Sequence, residues 1–188
     1  MSSRSGPRAT GTDGRDFLHR ETVAGHYKVS AVNKSRMKLI AVLHTALFML
    51  WIGRLLPDLM GYLGMKAPAS LMALPRASLW EFAWLPSILA ALFAYLALQR
   101  NRSILMQQFI LGTVLFGLLP IFYGIYDYSD DLSSFLNNKG KARKLFGFPF
   151  VTILYMFIAV ALQVHGFGIY IATQLISSWK PKVQKKAN

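Results

Sequence analysis

Long apolar runs alternate with polar stretches along this chain. The last run is the clearest, with no charged residue from Leu145 to Ile171. About 20 residues at 1.5 Å each cross a hydrocarbon core of about 30 Å. The pattern predicts four spans, at 38–57, 82–99, 104–126 and 147–171. A polar N-terminal tail (1–37), a loop (58–81), a tight turn (100–103), a second loop (127–146) and a basic C-terminal tail (172–188) fill the rest. So short a turn makes the second and third spans an antiparallel hairpin. Pro57 is expected to stop the first span. Pro120 removes one backbone bond and is expected to kink the third near Phe116. Trp80 and Trp84 at the mouth of the second span, and Tyr123, Tyr126 and Tyr128 at the exit of the third, match interfacial aromatic belts. Between Asp16 and Asn33 the apolar positions Phe17, Val23, Tyr27 and Val32 do not repeat at helical spacing, so a weakly structured tail is expected there.

Composition supports the membrane reading. Of 188 residues 54% are hydrophobic and only 15% charged, where soluble domains carry about 25% charged. The chain contains no cysteine, which excludes disulfides, thiol catalysis and cysteine metal sites. A removable signal peptide is not expected, because the first residues hold no apolar core before a small-residue cleavage site. Ser2 excludes N-myristoylation.

The net charge of +13 could suggest nucleic acid, but its distribution argues for membrane orientation. The N-tail together with Lys38 at its border carries eight Lys/Arg, the turn two and the C-tail four. The two remaining loops carry six, or seven with Arg54. By the positive-inside rule both termini face the cytosol. The cluster Lys139 to Lys144 runs against this and is offset by Asp127, Asp130 and Asp131. Asn33-Lys34-Ser35 and Asn101-Arg102-Ser103 match the glycosylation pattern; both fall on the expected cytosolic side, where they stay unmodified. Arg54, near the end of the first span, reads as an interfacial anchor within reach of Asp58.

Candidate chemistry is sparse. All eight acidic residues lie outside the expected spans or at their ends. An intramembrane enzyme or ion-coupled carrier usually carries ionisable groups inside. Phosphate-binding, nucleophile and metal-ligand motifs are missing from the sequence. We therefore expect no catalytic residue, no metal and no cofactor. One polar set remains: His44, Gln107, Gln108, Gln163 and His165, all in the cytosolic half. They can bond across helices at about 0.6–2 kcal/mol each, as glue for the bundle. The sharper alternative is a pH-sensitive or lipid-headgroup site built on the two histidines. Two histidines without a carboxylate make a poor metal shell.

The tail ends Lys185-Lys186-Ala187-Asn188. Lysines third and fourth from the end have the di-lysine arrangement that coatomer reads on cytosolic tails of endoplasmic reticulum proteins. Basic residues also collect beside cytosolic span ends without such a role.

The order of residues in the polar N-tail carries a resemblance. Arg4-Ser5-Gly6-Pro7-Arg8-Ala9, Gly11-Thr12-Asp13-Gly14, Asp16-Phe17, His19-Arg20-Glu21, Val23-Ala24 and His26-Tyr27 resemble the opening of the jagunal family. So do Trp80-Glu81, Pro120 with Tyr123-Gly124, Gly140-Lys141-Ala142, Leu145-Phe146-Gly147-Phe148, Gln163-Val164-His165, and Trp179 before the lysine tail. The first loop and second span match more loosely. The resemblance implies a four-span protein of the endoplasmic reticulum acting in its organisation and in early secretory traffic, and it strengthens the coatomer reading of Lys185 and Lys186. It transfers no catalytic residues.

The expected fold is all-α, a polytopic bundle of four transmembrane helices with both termini cytosolic. The expected function is non-enzymatic support of endoplasmic reticulum organisation and vesicle-mediated transport. The alternatives are a small transporter or a lipid-modifying membrane enzyme. Expected partners are membrane lipids, coatomer, and cytosolic or membrane trafficking proteins; nucleic acid is not among them. A charged leader needs no fixed order, so the run Gly11, Thr12, Asp13, Gly14, Asp16, Phe17, His19, Arg20, Glu21, His26 and Tyr27 is expected to bind a protein and to order as it binds.

Overall fold

The computed structural model describes residues 15–68, 75–137, 144–145 and 147–179. Four helical stretches are long and apolar enough to cross a membrane: Tyr27–Tyr62, Leu79–Arg100, Ser103–Asp127 and Phe150–Trp179. The first belongs to α1 (Arg15–Tyr62), a single helix of 48 residues. The second is composite: α2 (Leu79–Ala83), a 3-10 turn at Leu85–Ser87, and α3 (Ile88–Arg100). The third joins α4 (Ser103–Gly112) to α5 (Leu119–Asp127) through a π-helical turn at Thr113–Leu118. Then follow α6 (Ser129–Leu136), a short ribbon of β1 (Lys144–Leu145) and β2 (Phe148–Pro149), and α7 (Phe150–Trp179).

The helices form an antiparallel bundle. α1 packs on α7 and α3, and α4 packs on α3 and α7. Asn101 closes the α3–α4 turn in the left-handed region (φ 52°), a conformation asparagine tolerates better than most residues. Small residues let these two helices approach. Ala90, Ala94 and Ala97 are buried, and a Cβ on Gly112 would lie 3.3 Å from that of Ala90. Such seams replace the missing hydrophobic drive between helices in lipid. The outward faces are apolar: Val42, Met49, Leu92, Ile104 and Met156 are all exposed. A surface of this kind suits hydrocarbon, not water. On the side of the termini, the Trp179 Nε1–H donates to Ser30 Oγ at 3.2 Å. The end of α7 is thereby tied to α1 ahead of the span expected at 38–57.

The structure corrects several expectations. Pro57 does not stop the first span; α1 continues through it to Tyr62. Proline deprives the helix of one bond, but Arg54 and Asp58 on either side are held by contacts to the following segment, described below. The tail is not weakly structured from Arg15 onward, since α1 already begins there. Extending a helix that a stable span has nucleated costs little per residue. The disturbance expected near Phe116 takes the form of the π-helical turn before Pro120. Trp80 and Trp84 do not form an interfacial belt. They are 3% and 0% exposed and pack with Trp51 and Phe157, whose rings stack at 4.3 Å. A Cβ on Gly124 would fall 2.7 Å from the Trp80 ring, so that glycine seats the indole. Tyr123 and Tyr126 are exposed, whereas Tyr128 is buried.

Candidate functional site

Two polar clusters lie inside the bundle. The first begins with His44, in the middle of α1, and His165, in the middle of α7. Both are buried, and their rings lie 5.0 Å apart. His44 Nε2 shares a hydrogen bond of 3.3 Å with Ser87 Oγ, which the 3-10 turn carries into the interior. Trp84 covers both imidazoles, 5.6 Å from His44 and 6.1 Å from His165. On the remaining side the π-helical turn offers Gly117, where an added Cβ would sit 2.8 Å from His165 Nε2. π-Turns inside helices recur at functional positions. Here the turn presents a glycine, so α7 can pack a full imidazole against the third span.

The three glutamines of the expected polar set do not join the histidines. Gln107, Gln108 and Gln163 are exposed. Neighbouring residues on a helix point about 100° apart, and the buried Met106 and Phe109 flank the pair. The inward face of α4 therefore leaves 107 and 108 outside. Gln163 and His165 likewise diverge.

The second cluster lies at the opposite end, where α1 meets α2. Glu81 is fully buried. Its Oε1 accepts from Arg54 Nη2 (3.3 Å), the Ser78 backbone N–H (3.1 Å) and the Tyr128 hydroxyl (3.3 Å). Arg54 Nη2 also donates to the Pro75 carbonyl at 2.9 Å. Its guanidinium lies 3.8 Å from Asp58 one turn on and 5.2 Å over the Phe150 ring. Asp58 in turn accepts from the Ala77 N–H at 3.1 Å. Burial, then the Glu81 carboxyl beside it, push the Tyr128 phenol above its ordinary value, so it stays a donor. The Arg54–Glu81 pair thus joins α1, the first loop, α2, the segment after α5, and the start of α7. Arg54 is an anchor inside the protein rather than a side chain reaching for the interface. The sequence assigns no interior role to Glu81 or Ser87, and it places Tyr128 only in the aromatic belt. The spacing Ser78-Leu79-Trp80-Glu81 is a capping-box signature, and it would have placed Glu81 in a helix instead of a loop.

Glu81 takes its three structural bonds at Oε1, and the histidines face each other, serine, tryptophan and glycine. Among the described residues, no group of three or more His, Cys, Asp or Glu is placed to hold a metal ion. Of the expected N-terminal run, Gly11, Thr12, Asp13 and Gly14 lie outside the described residues, as do Lys185 and Lys186. Asp16, Phe17, His19, Arg20, Glu21 and His26 fall on the backbone of α1, and Tyr27 is exposed.

Known proteins match nearly end to end. The family described as "Jagunal, ER re-organisation during oogenesis" matches residues 1–183. Protein jagunal homolog 1-B of Danio rerio is 36% identical over 187 residues, covering 99% of this chain and 98% of the relative. Protein jagunal of Drosophila melanogaster is 33% identical over 190 residues, covering 97% and 96%. Protein jagunal homolog 1 of Homo sapiens is 35% identical over 187 residues, covering 99% and 98%. With a four-helix membrane architecture and a whole-length match, this chain belongs to the jagunal family.

Proposed function

We propose that the protein is a non-enzymatic, multi-pass component of the endoplasmic reticulum membrane. It supports organisation of the reticulum and vesicle-mediated transport and secretion, with both termini in the cytosol. The observation that carries this reading is the family relation over the whole chain, polar N-tail included. The bundle is consistent with it: Arg54, Glu81 and Tyr128 bond one another, His44 bonds Ser87, and these contacts hold helices together. The charge excess on the side of the termini supports the orientation. Lys185 and Lys186 then stand where coatomer can read them. The family match ends at residue 183, so this part rests on the chain's own last residues. The run from Gly11 to Tyr27 binds a trafficking protein, and its continuation into α1 supplies a helix on which to do so.

The test is rescue of cells lacking the protein. A version with residues 11–27 shuffled keeps charge and composition, and keeps the spans and the lysine tail. It should insert and remain in the endoplasmic reticulum yet fail to restore secretion. Rescue equal to the native chain would make the run a charged leader and overturn the partner assignment.

A further inference from the structure

The outer side of the α1–α3 contact holds a groove of about 720 Å³. Lys38 stands at one end, on the side of the chain termini. Met49 and Ile88 close the other end, near the middle of the bundle. The lining between them is apolar apart from Thr45 and Tyr95, and the Thr45 hydroxyl is already engaged, donating to the Ala41 carbonyl at 2.8 Å. From Lys38 to Met49 the helix rises about 16 Å, close to the roughly 15 Å depth of one hydrocarbon leaflet. The groove thus has the length of a single acyl chain. Its cation stands where a headgroup would be.

Further positive charge surrounds that mouth. Lys34 and Arg36 precede Lys38 on α1, and Arg100 and Arg102 follow Leu98, the groove residue at the corresponding end of α3. Lys34, one turn before Lys38, shares its face of α1, and Arg36, Arg100 and Arg102 lie at the same depth. We propose that this groove is a binding site for an anionic phospholipid of the leaflet on the termini side. One acyl chain lies between α1 and α3, and the phosphate pairs with Lys38. The assignment goes beyond the trafficking role and is independent of any partner of the N-tail or the lysine tail.

The full-length protein is reconstituted in phosphatidylcholine vesicles. These are doped with a phosphatidylserine carrying a photoreactive acyl chain, or with the matching phosphatidylcholine probe. Labelled peptides are then mapped. The wild type should be labelled within 38–49 and 88–98, with the acidic probe favoured by about fivefold, the factor one basic residue brings at an anionic surface. Lys38→Gln should remove most of that preference, whereas Lys66→Gln, in the opposite loop, should preserve it. Ala46→Trp, at an exposed position of the lining, should fill the groove and suppress labelling by both probes. Helical content and thermal midpoint, measured in parallel, identify any variant that misfolds. Equal labelling of the wild type by the two probes overturns the proposal. So does an acidic preference that survives Lys38→Gln, or labelling that persists unchanged in Ala46→Trp.

Discussion

Gly117 and His165 meet across the interface between the third and fourth spans, at a distance that leaves no room for a methyl group. The π-helical turn carries the glycine, and the imidazole fills the space above it. Overpacking a closed interior costs about 1–3 kcal/mol. Gly117→Ala should lower the stability of the full chain in detergent by that amount. In a His165→Ala background the same change should cost less than half as much, because the obstructing ring is gone. Equal costs in both backgrounds would show that the contact does not govern packing there.

The Arg54–Glu81 pair offers a second measurement. Removing one partner of a buried ion pair leaves an uncompensated charge and costs about 3–5 kcal/mol. Arg54→Leu and Glu81→Leu should each fall in that range. The double variant should be more stable than the sum of the two losses, by at least about 1 kcal/mol. Strict additivity would rule out direct coupling.

The histidines and glutamines can be told apart by distance. The chain has no cysteine, so introduced pairs are unambiguous. His44→Cys with His165→Cys should crosslink in high yield through a short thiol reagent. His44→Cys with Gln163→Cys should not, because position 163 faces outward. Gln163→Leu should leave stability within about 0.5 kcal/mol of wild type, as outward-facing substitutions do. A loss of several kcal/mol would place that amide inside the bundle.

Much of this architecture was legible in the sequence, because hydropathy over a window of 18 or so residues records burial in lipid directly. The four spans emerged from that signal alone. What it does not record is azimuth. Depth put Gln107, Gln108 and Gln163 beside the histidines, but which side of α4 and α7 faces in depends on their neighbours. The alternation of Met106 and Phe109 with the glutamines held the answer for α4. The tryptophans escape the same signal for a related reason: an indole near a span end suits the interface and the interior equally, and the glycine opposite decides. Gly124, some forty residues further on, receives Trp80. Pro57 escapes local rules, which see a lost bond and a steric clash. They do not see an arginine and an aspartate held from a distant segment.

Orientation and sorting can be tested together. A glycosylation site placed in the middle of the 58–81 loop should gain sugar, and one in an N-terminal extension should not. Replacing Lys185 and Lys186 with serine should abolish coatomer capture by the tail and shift the protein out of the endoplasmic reticulum. A glycosylated N-terminal extension would reverse the orientation and remove the basis of the tail signal.

Because α1 is unbroken from Arg15 to Tyr62, the segment ahead of the bundle and the first span share one helical phase. From Ser30, where Trp179 holds it, to Arg15 the helix rises about 22 Å. Each backbone position along that rise has a bearing as well as a height. One residue inserted near Ala31 would swing everything before it by about 100° relative to the bundle, while four would nearly restore the bearing and add about 6 Å. Whatever reads this end of the protein meets a compass setting fixed by the membrane.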